Sequence, residues 1–354
     1  MNRRQALTTI AGAASAALLR PGTAAAQGPI ERTGLGLVIY CCSKRRAWMR
    51  KQEGDFDLFE PQNFLAHCQK VGAGGMQISL GVMPGEQADA LRRKAEESQR
   101  YIEAIVQPPR SPRDVERFEA EMQTAARCGA LAARTVIIPG RRYEYFDSLD
   151  QYQEYADRGR RALELAAPVA EKHRVPLAVE NHKEQRNDER IALFEHIGSE
   201  YVGACVDTGN SFALLEDPIE TIEAFAPWAH SVHLKDQILA EYEEGYFLGD
   251  IPLGQGGFDL KKMVEILRRA KPGIRFTLEL ITRDPLKVPC LTEKYWATFP
   301  DLSGVHLART LRYVRAHAAE DLPYVGMLSP EEQAAREDAN VRASLDYARG
   351  QLGI

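Results

Sequence analysis

Residues 175–180 read VPLAVE, 203–207 GACVD, 230–233 HSVH and 275–279 RFTLE. Each run is short and apolar, and each ends in a residue able to bind a divalent metal: Glu180, Asp207, His233 and Glu279. Helix-patterned sequence separates one run from the next. Upstream, LGLVIY (35–40), GMQISL (75–80), YIEAIV (101–106) and RTVIIP (134–139) repeat the same alternation. Eight strand–helix alternations without hairpin turns predict a parallel sheet, and eight is the number that closes an α/β barrel. An open doubly wound sheet is the weaker alternative, because no strand runs into a G-x-G-x-x-G helix start.

Helices are expected over 86–99, 111–129, 148–173, 187–197, 218–225 and 259–270. Their starts are marked by Ser111-Pro112, Ser148, Asp217-Pro218 and Asp259, residues that cap or begin helices. Two connections, Asp236 to Gly257 and Thr282 to Pro300, are too long to be mere joints. Their aromatics (Tyr242, Tyr246, Phe247, Tyr295, Trp296) predict ordered lids rather than disorder. Residues 329–354, charged and alanine-rich, read as a surface helix that closes the chain.

The first 26 residues read as an export signal of the twin-arginine type: Arg3-Arg4, a mildly apolar stretch, then Ala24-Ala25-Ala26. The expected location is periplasmic, and the barrel domain is expected over 27–328. Loss of the signal removes Arg3, Arg4 and Arg20 and no acid, so net charge moves from −5 to −5 − 3 = −8. That balance disfavours nucleic acid and anionic membranes as partners. The six cysteines (41, 42, 68, 128, 205, 290) have no C-x-x-C spacing, and no disulfide framework is expected.

Two glutamates, an aspartate and a histidine at one barrel mouth suit a single hard or borderline divalent ion, manganese first, with magnesium, cobalt or zinc as the others. A lone glutamate at a strand end is most often a solvated rim residue. Four such residues on four consecutive strands require chance to act four times in register, and barrel function sits at the carboxyl ends of strands.

Glu180-Asn181-His182, Asp207-Thr208-Gly209-Asn210, His233-Leu234-Lys235-Asp236 and Thr277-Leu278-Glu279 resemble the signature of the xylose isomerase-like TIM-barrel superfamily, over roughly residues 34–317. The resemblance implies a single (β/α)8 TIM barrel with one metal held by Glu180, Asp207, His233 and Glu279. It also implies proton exchange with the substrate by Glu180 and Glu279. In chemical terms, a proton beside a carbonyl is abstracted through a metal-bound enediolate, with a carboxylate on either face. The sequence departs from the epimerase pattern at Asn210, where those enzymes carry a substrate-contacting histidine.

Candidates for substrate contact are His182, Asn210, Lys235, Arg283 and Arg141, with Arg142, Gln77 and Tyr40 weaker. Lys235 could instead pair with Glu180 or Asp236. The Gly254–Gly257 segment resembles the glycine turn of the superfamily and is a poor match to a phosphate loop.

The expected function is a metal-dependent isomerase or epimerase on a non-phosphorylated sugar or keto-sugar. The alternative is a lyase that cleaves 3-keto-glycosides by elimination. A nuclease of the endonuclease IV type needs more histidine ligands and a basic groove, and a sugar-binding barrel without catalysis would not need all four ligands. The expected partner is a small sugar or glycoside, with no nucleic acid and, after processing, no membrane; self-association into a homo-oligomer is left open.

Overall fold

Burial on both faces makes short runs of β-branched and small residues pair side by side, and here they close on themselves. The structure is a computed structural model and describes residues 31–138 and 140–354. The expected signal from Arg3-Arg4 to Ala26 lies outside the described residues. The strands, in chain order, are β1 Gly36–Val38, β2 Gly75–Ile78, β3 Tyr101–Ile105, β4 Ala133–Thr135, β5 Leu177–Glu180, β6 Val202–Asp207, β7 Ala229–Leu234, β8 Asp236–Tyr242, β9 Gly245–Ile251, β10 Thr277–Leu278 and β11 Leu286–Val288. β1 to β7 and β10 form a closed parallel barrel, in which β1 pairs with both β2 and β10. Helices alternate with the strands, so the fold is a single (β/α)8 barrel with C-terminal helices.

Register carries the candidate residues to one end. Glu180 lies opposite Cys205, Asp207 opposite His233, and His233 opposite Thr277. The ladder continues past β10, because Glu279 N donates to Leu234 O (3.1 Å). At the other end Tyr101 fills the barrel floor, its hydroxyl donating to Phe276 O (2.7 Å). A Cβ on Gly75 would lie 2.5 Å from that ring, which is why glycine stands there.

Three of the expected caps are present. Ser148 Oγ accepts from Gln151 N, Asp217 Oδ1 from Ile219 N and Glu220 N, and Asp259 Oδ1 from Lys262 N. Ser111 is different: it precedes a 3-10 turn, Pro112–Asp114, and makes no side-chain cap before the helix Val115–Arg127.

The long connections add strands that the sequence reading did not foresee. They are ordered, as expected, but largely by strand pairing rather than as loops: β8 and β9 form an antiparallel hairpin turning at Glu243-Glu244, and in the second connection β11 adds a third strand through Leu286↔Leu248, followed by a short helix Glu293–Trp296. Alanine and glutamate, weak strand formers, dilute the period-2 signal of QILAEY, and the turn lacks the Asn-Gly type of pair that marks a hairpin. The six cysteines are free and buried. Among the described residues no helix is long and apolar enough to cross a membrane.

The terminal helix Pro330–Tyr347 starts with a capping box, Ser329 with Glu332. It is not merely a surface helix, since Val341, Leu345 and even Glu337 are buried. The Glu337 carboxylate accepts from Lys44 N (3.0 Å) and Arg45 N (2.8 Å), the unsatisfied first amides of the helix Ser43–Glu53. Glu337→Ala strands both amides and should lower unfolding stability by about 2–4 kcal/mol. Glu337→Gln, which keeps an acceptor, should lose less; equal losses in urea melts would deny the carboxylate this role.

Candidate metal centre

Alternate residues of a strand point to the same face, so Cys205 and Asp207 on β6, and His233 and Lys235 at the end of β7, face the barrel axis together. One ligand atom from each of Glu180, Asp207, His233 and Glu279 lies within 4.8 Å of the other three, and all four residues are buried. His233 Nδ1 is 3.2 Å from Glu279 Oε2, 3.4 Å from Glu180 Oε2 and 3.9 Å from Asp207 Oδ2. Donors held about 2.1 Å from one ion lie about 3.0–4.2 Å apart, so these spacings fit a common ion.

The hydrogen bonds point the same way. Among the described residues, Asp207 Oδ2, His233 Nδ1 and Glu279 Oε2 are buried without a hydrogen-bond partner. Asp207 and His233 have partners for their other atoms: Asp207 Oδ1 accepts from Gly209 N (2.9 Å) and Asn210 N (2.7 Å), and His233 Nε2 lies 2.7 Å from Gln77 Oε1. Buried orphan acceptors aimed at one point are what an ion would satisfy.

Positive side chains offset the carboxylates. Arg134, in β4, donates through Nε to Glu180 Oε2 (2.5 Å). Lys235 Nζ is 2.9 Å from Glu279 Oε2 and 3.1 Å from Asp207 Oδ2, at ion-pair distance but not aligned for a hydrogen bond. Burial pushes the Glu180 carboxyl up, yet Arg134, His233 and His182 together outweigh it and the group ends below the ordinary range. Burial acts likewise on Glu279, where Lys235 and His233 outweigh it and leave the group well below. Burial holds Asp207 up to about 7. Burial pulls the His233 imidazole down, but Cys205, Glu279 and Glu180 raise its hold on a proton well above the ordinary range. Without an ion, protons carry the compensation an ion would give, so binding one should release them.

Gln77 and Glu103 lie beneath the cluster. His233 Nε2 donates to Gln77 Oε1 (2.7 Å), while Gln77 Nε2 donates to Glu103 Oε2 (2.8 Å), which Ser231 also reaches (2.8 Å). A flipped Gln77 amide would aim its oxygen at the carboxylate. Glu103 therefore fixes the amide, and the amide fixes the imidazole with Nδ1 turned toward the cluster.

The remaining candidates divide. Asn210 is fully buried; its Nδ2 donates to Glu180 Oε1 (3.0 Å), and its Oδ1 accepts from Lys235 Nζ (3.2 Å) and from Lys183. Lys235 pairs with neither Glu180 nor Asp236; the barrel register turns it toward Asp207 and Glu279 instead. Asp236 faces away and accepts from Gly254 N and Gly256 N (2.9 Å each). His182 stays at the cluster, where burial pulls its pKa down to about 4 and keeps it neutral. Arg283 Nη2 reaches Asp250 Oδ2 at 3.5 Å. Arg141 is not brought in: it pairs with Glu144 (2.8 Å) three residues along. Arg142 is buried against Glu189 and Thr298. Tyr40 stacks near Arg134, whose Cζ is 5.7 Å from the ring.

Sequence reasoning missed Arg134, Lys183, Glu103 and Cys205. Cys205 lies with Glu180 and His233 as a second potential donor group, its thiol pushed above the ordinary range by burial. The available signal was spacing: Cys205 precedes Asp207 by two, and an arginine opens the apolar run RTVIIP.

Comparison with known proteins adds the following. Residues 65–298 match the family described as xylose isomerase-like TIM barrel. A 119-residue stretch is 29% identical to 3-oxo-isoapionate decarboxylase of Pectobacterium atrosepticum, spanning 33% of this chain and 43% of that protein. The fold is similar to that of D-psicose 3-epimerase from Clostridium cellulolyticum H10 (14% identity, TM-score 0.56, 83% of this chain and 94% of that one). It is also similar to a xylose isomerase-like TIM barrel protein from Mycobacterium smegmatis in complex with magnesium (15%, 0.50, 78% and 97%).

Gln77→Leu frees the His233 imidazole to turn and should weaken Mn²⁺ binding by about tenfold to a hundredfold in calorimetric titration, with the fold intact by circular dichroism. Unchanged affinity would mean that the packing of the ring, not the Gln77–Glu103 pair, sets its orientation.

Proposed function

Because this chain belongs to the xylose isomerase-like TIM barrel family, we propose that it is a divalent-metal-dependent enzyme that moves a proton beside the carbonyl of a non-phosphorylated sugar or keto-sugar, as an isomerase or epimerase. The observation that carries this reading is the convergence of Glu180, Asp207, His233 and Glu279, three of whose inward atoms lack a hydrogen-bond partner among the described residues. These four residues would hold one ion, manganese first, with magnesium, cobalt or zinc as the others this donor set takes. When bound, the ion supplies positive charge that makes a neighbouring carbonyl oxygen accept negative charge.

The protein's own groups do the rest. Glu180 ends β5 and Glu279 follows β10, with β6 and β7 between them in the barrel. Their carboxylates therefore reach a molecule in the mouth from different sides, as proton exchange on two faces requires. Arg134 and Lys235 keep both ionised and so able to accept a proton. A carboxylate held below its ordinary range also gives that proton back readily, which suits exchange. Asp207 and His233 serve as ligands.

The partial likeness to a 3-oxo-isoapionate decarboxylase favours one second reading, a lyase acting beside the carbonyl of a 3-keto sugar or 3-keto-glycoside. The Arg3-Arg4 signal belongs to the same proposal: an enzyme exported by the twin-arginine route meets free sugars and glycosides rather than sugar phosphates. Changing both arginines to lysine should block that export and leave activity in the cytoplasm.

Incubation of the manganese-loaded chain with free ketoses and 3-keto-glycosides in heavy water tests the reaction. Deuterium beside the carbonyl with the skeleton retained identifies an isomerase or epimerase, and loss of an aglycone or carbon dioxide identifies a lyase. Glu180→Gln and Glu279→Gln should keep most of the metal yet slow carbon-bound exchange by on the order of a hundredfold or more. Exchange at the parent rate in both would reduce the glutamates to ligands.

A further inference from the structure

Lys183, three residues beyond the metal-cluster residue Glu180, is 5% exposed, and its ammonium donates to Asn210 Oδ1. Among the described residues no carboxylate lies within ion-pairing distance of it. Burying an ammonium against a neutral amide alone is costly. The cost is higher here because Lys235 Nζ converges on the same amide oxygen (3.2 Å), so two cations share one neutral acceptor. The backbone is also uncommon: Lys183 has φ +72°, in the left-handed region, and is fixed there by Arg142 N donating to its carbonyl (3.0 Å). Strain of this kind persists only where the surroundings hold it, and it concentrates at ligand clamps.

Charge counting extends the point. Four carboxylates at this mouth (Glu180, Asp207, Asp250, Glu279) face four cations (Arg134, Lys183, Lys235, Arg283). A divalent ion would leave the mouth at +2, a field that draws an anion. Arg283, partly exposed at the rim, is only loosely engaged by Asp250 at 3.5 Å.

We propose that Lys183, with Arg283 at the rim, forms a carboxylate subsite beside the metal cluster, so that the substrate is a sugar acid, a hydroxy- or keto-carboxylate, rather than a neutral sugar. The assignment rests on the metal-dependent reading above for the position of the reacting carbonyl. A carboxylate fits better than a phosphate. The amides that could cradle phosphate in the glycine-rich segment, Gly254 N and Gly256 N, already donate to Asp236 (2.9 Å each). What remains is one buried ammonium and one rim guanidinium, enough for a single negative charge.

Calorimetric titration of the manganese-loaded chain tests the subsite. Glycerate, threonate and gluconate are compared with glycerol, threitol and sorbitol, the same skeletons without the carboxylate, and with sorbitol 6-phosphate. The best acid should bind on the order of tenfold to a hundredfold more tightly than its polyol. Lys183→Met should abolish most of that preference while keeping the manganese, and Lys183→Arg should retain part of it. Arg283→Gln, at a partly exposed position tolerant of change, should give an intermediate loss. Direct chelation of manganese by the acid would survive Lys183→Met, so a preference that persists in this variant overturns the subsite. Equal binding of acid and polyol, no binding by any acid, or tighter binding of the sugar phosphate overturns it too. Manganese content, measured first, separates this idea from the metal reading. If no ion binds, that reading falls, and the same titrations on the ion-free chain still decide whether Lys183 selects the acid.

Discussion

Three carboxylates buried at one end of a barrel repel one another and lose their water, and a fold that places them there must supply positive charge beside them. Each unpaired buried ion costs several kcal/mol even after relaxation. Arg134 meets Glu180, Lys235 lies between Asp207 and Glu279, and the His233 imidazole faces all three. Protein cations nevertheless leave Asp207 Oδ2 and Glu279 Oε2 without an aligned donor. That gap in the compensation is the one the divalent ion proposed above would fill. The layer beneath follows from the same need, since His233 can offer Nδ1 to an ion only if its Nε2 carries the proton and has an acceptor. Gln77 provides that acceptor, and the buried carboxyl of Glu103 keeps the amide the right way round.

Strand periodicity distributes the work of the segment HLKD. His233 and Lys235 point inward to the cluster, while Asp236 turns outward and gathers the amides of Gly254 and Gly256. A Cβ on Gly256 would sit 2.2 Å from Asp236 Oδ1, so the close approach requires glycine. That clasp fixes the chain after the β8–β9 hairpin. The hairpin returns Asp250 beside Gln237, whose amide donates to it (2.6 Å), and beside Lys235 and Arg283. The hairpin thus contributes a charged group to the mouth while covering it, consistent with the near-complete burial of the four cluster residues.

The barrel and the four converging residues were legible in the sequence because both rest on strong local signals: apolar strands at regular spacing, and ligand types at their carboxyl ends. The hairpin was not, because Ala240, Glu241, Glu243 and Glu244 carry no strand preference, and β9, with which Ala240 and Glu241 pair, is held along its other edge by β11, about 40 residues away in sequence. Arg134 and Glu103 escaped for a related reason. A charged residue inside an apolar run reads as an interruption until a partner from another strand, Glu180 or Gln77, explains its burial. The ion-pair partners considered for Lys235, Glu180 and Asp236, are not the ones it meets, because its partner depends on barrel stagger, which periodicity along one strand does not contain.

Asn210 brings these strands of argument together. It occupies the position where the epimerase pattern has a substrate-contacting histidine, and simple substitution would suggest a lost contact. Its amide instead donates to Glu180 Oε1 and presents one carbonyl oxygen to both Lys183 and Lys235. An imidazole cannot do this: its single in-plane lone pair accepts from one donor, and protonation removes even that. An amide oxygen has two lone pairs and keeps them at every pH. A histidine here would therefore leave Lys183, which has no carboxylate within ion-pairing distance among the described residues, to compete with Lys235 for a single lone pair. The asparagine and the buried Lys183 are thus one feature, in which a neutral amide oxygen holds the ammonium proposed above to meet the substrate's carboxylate.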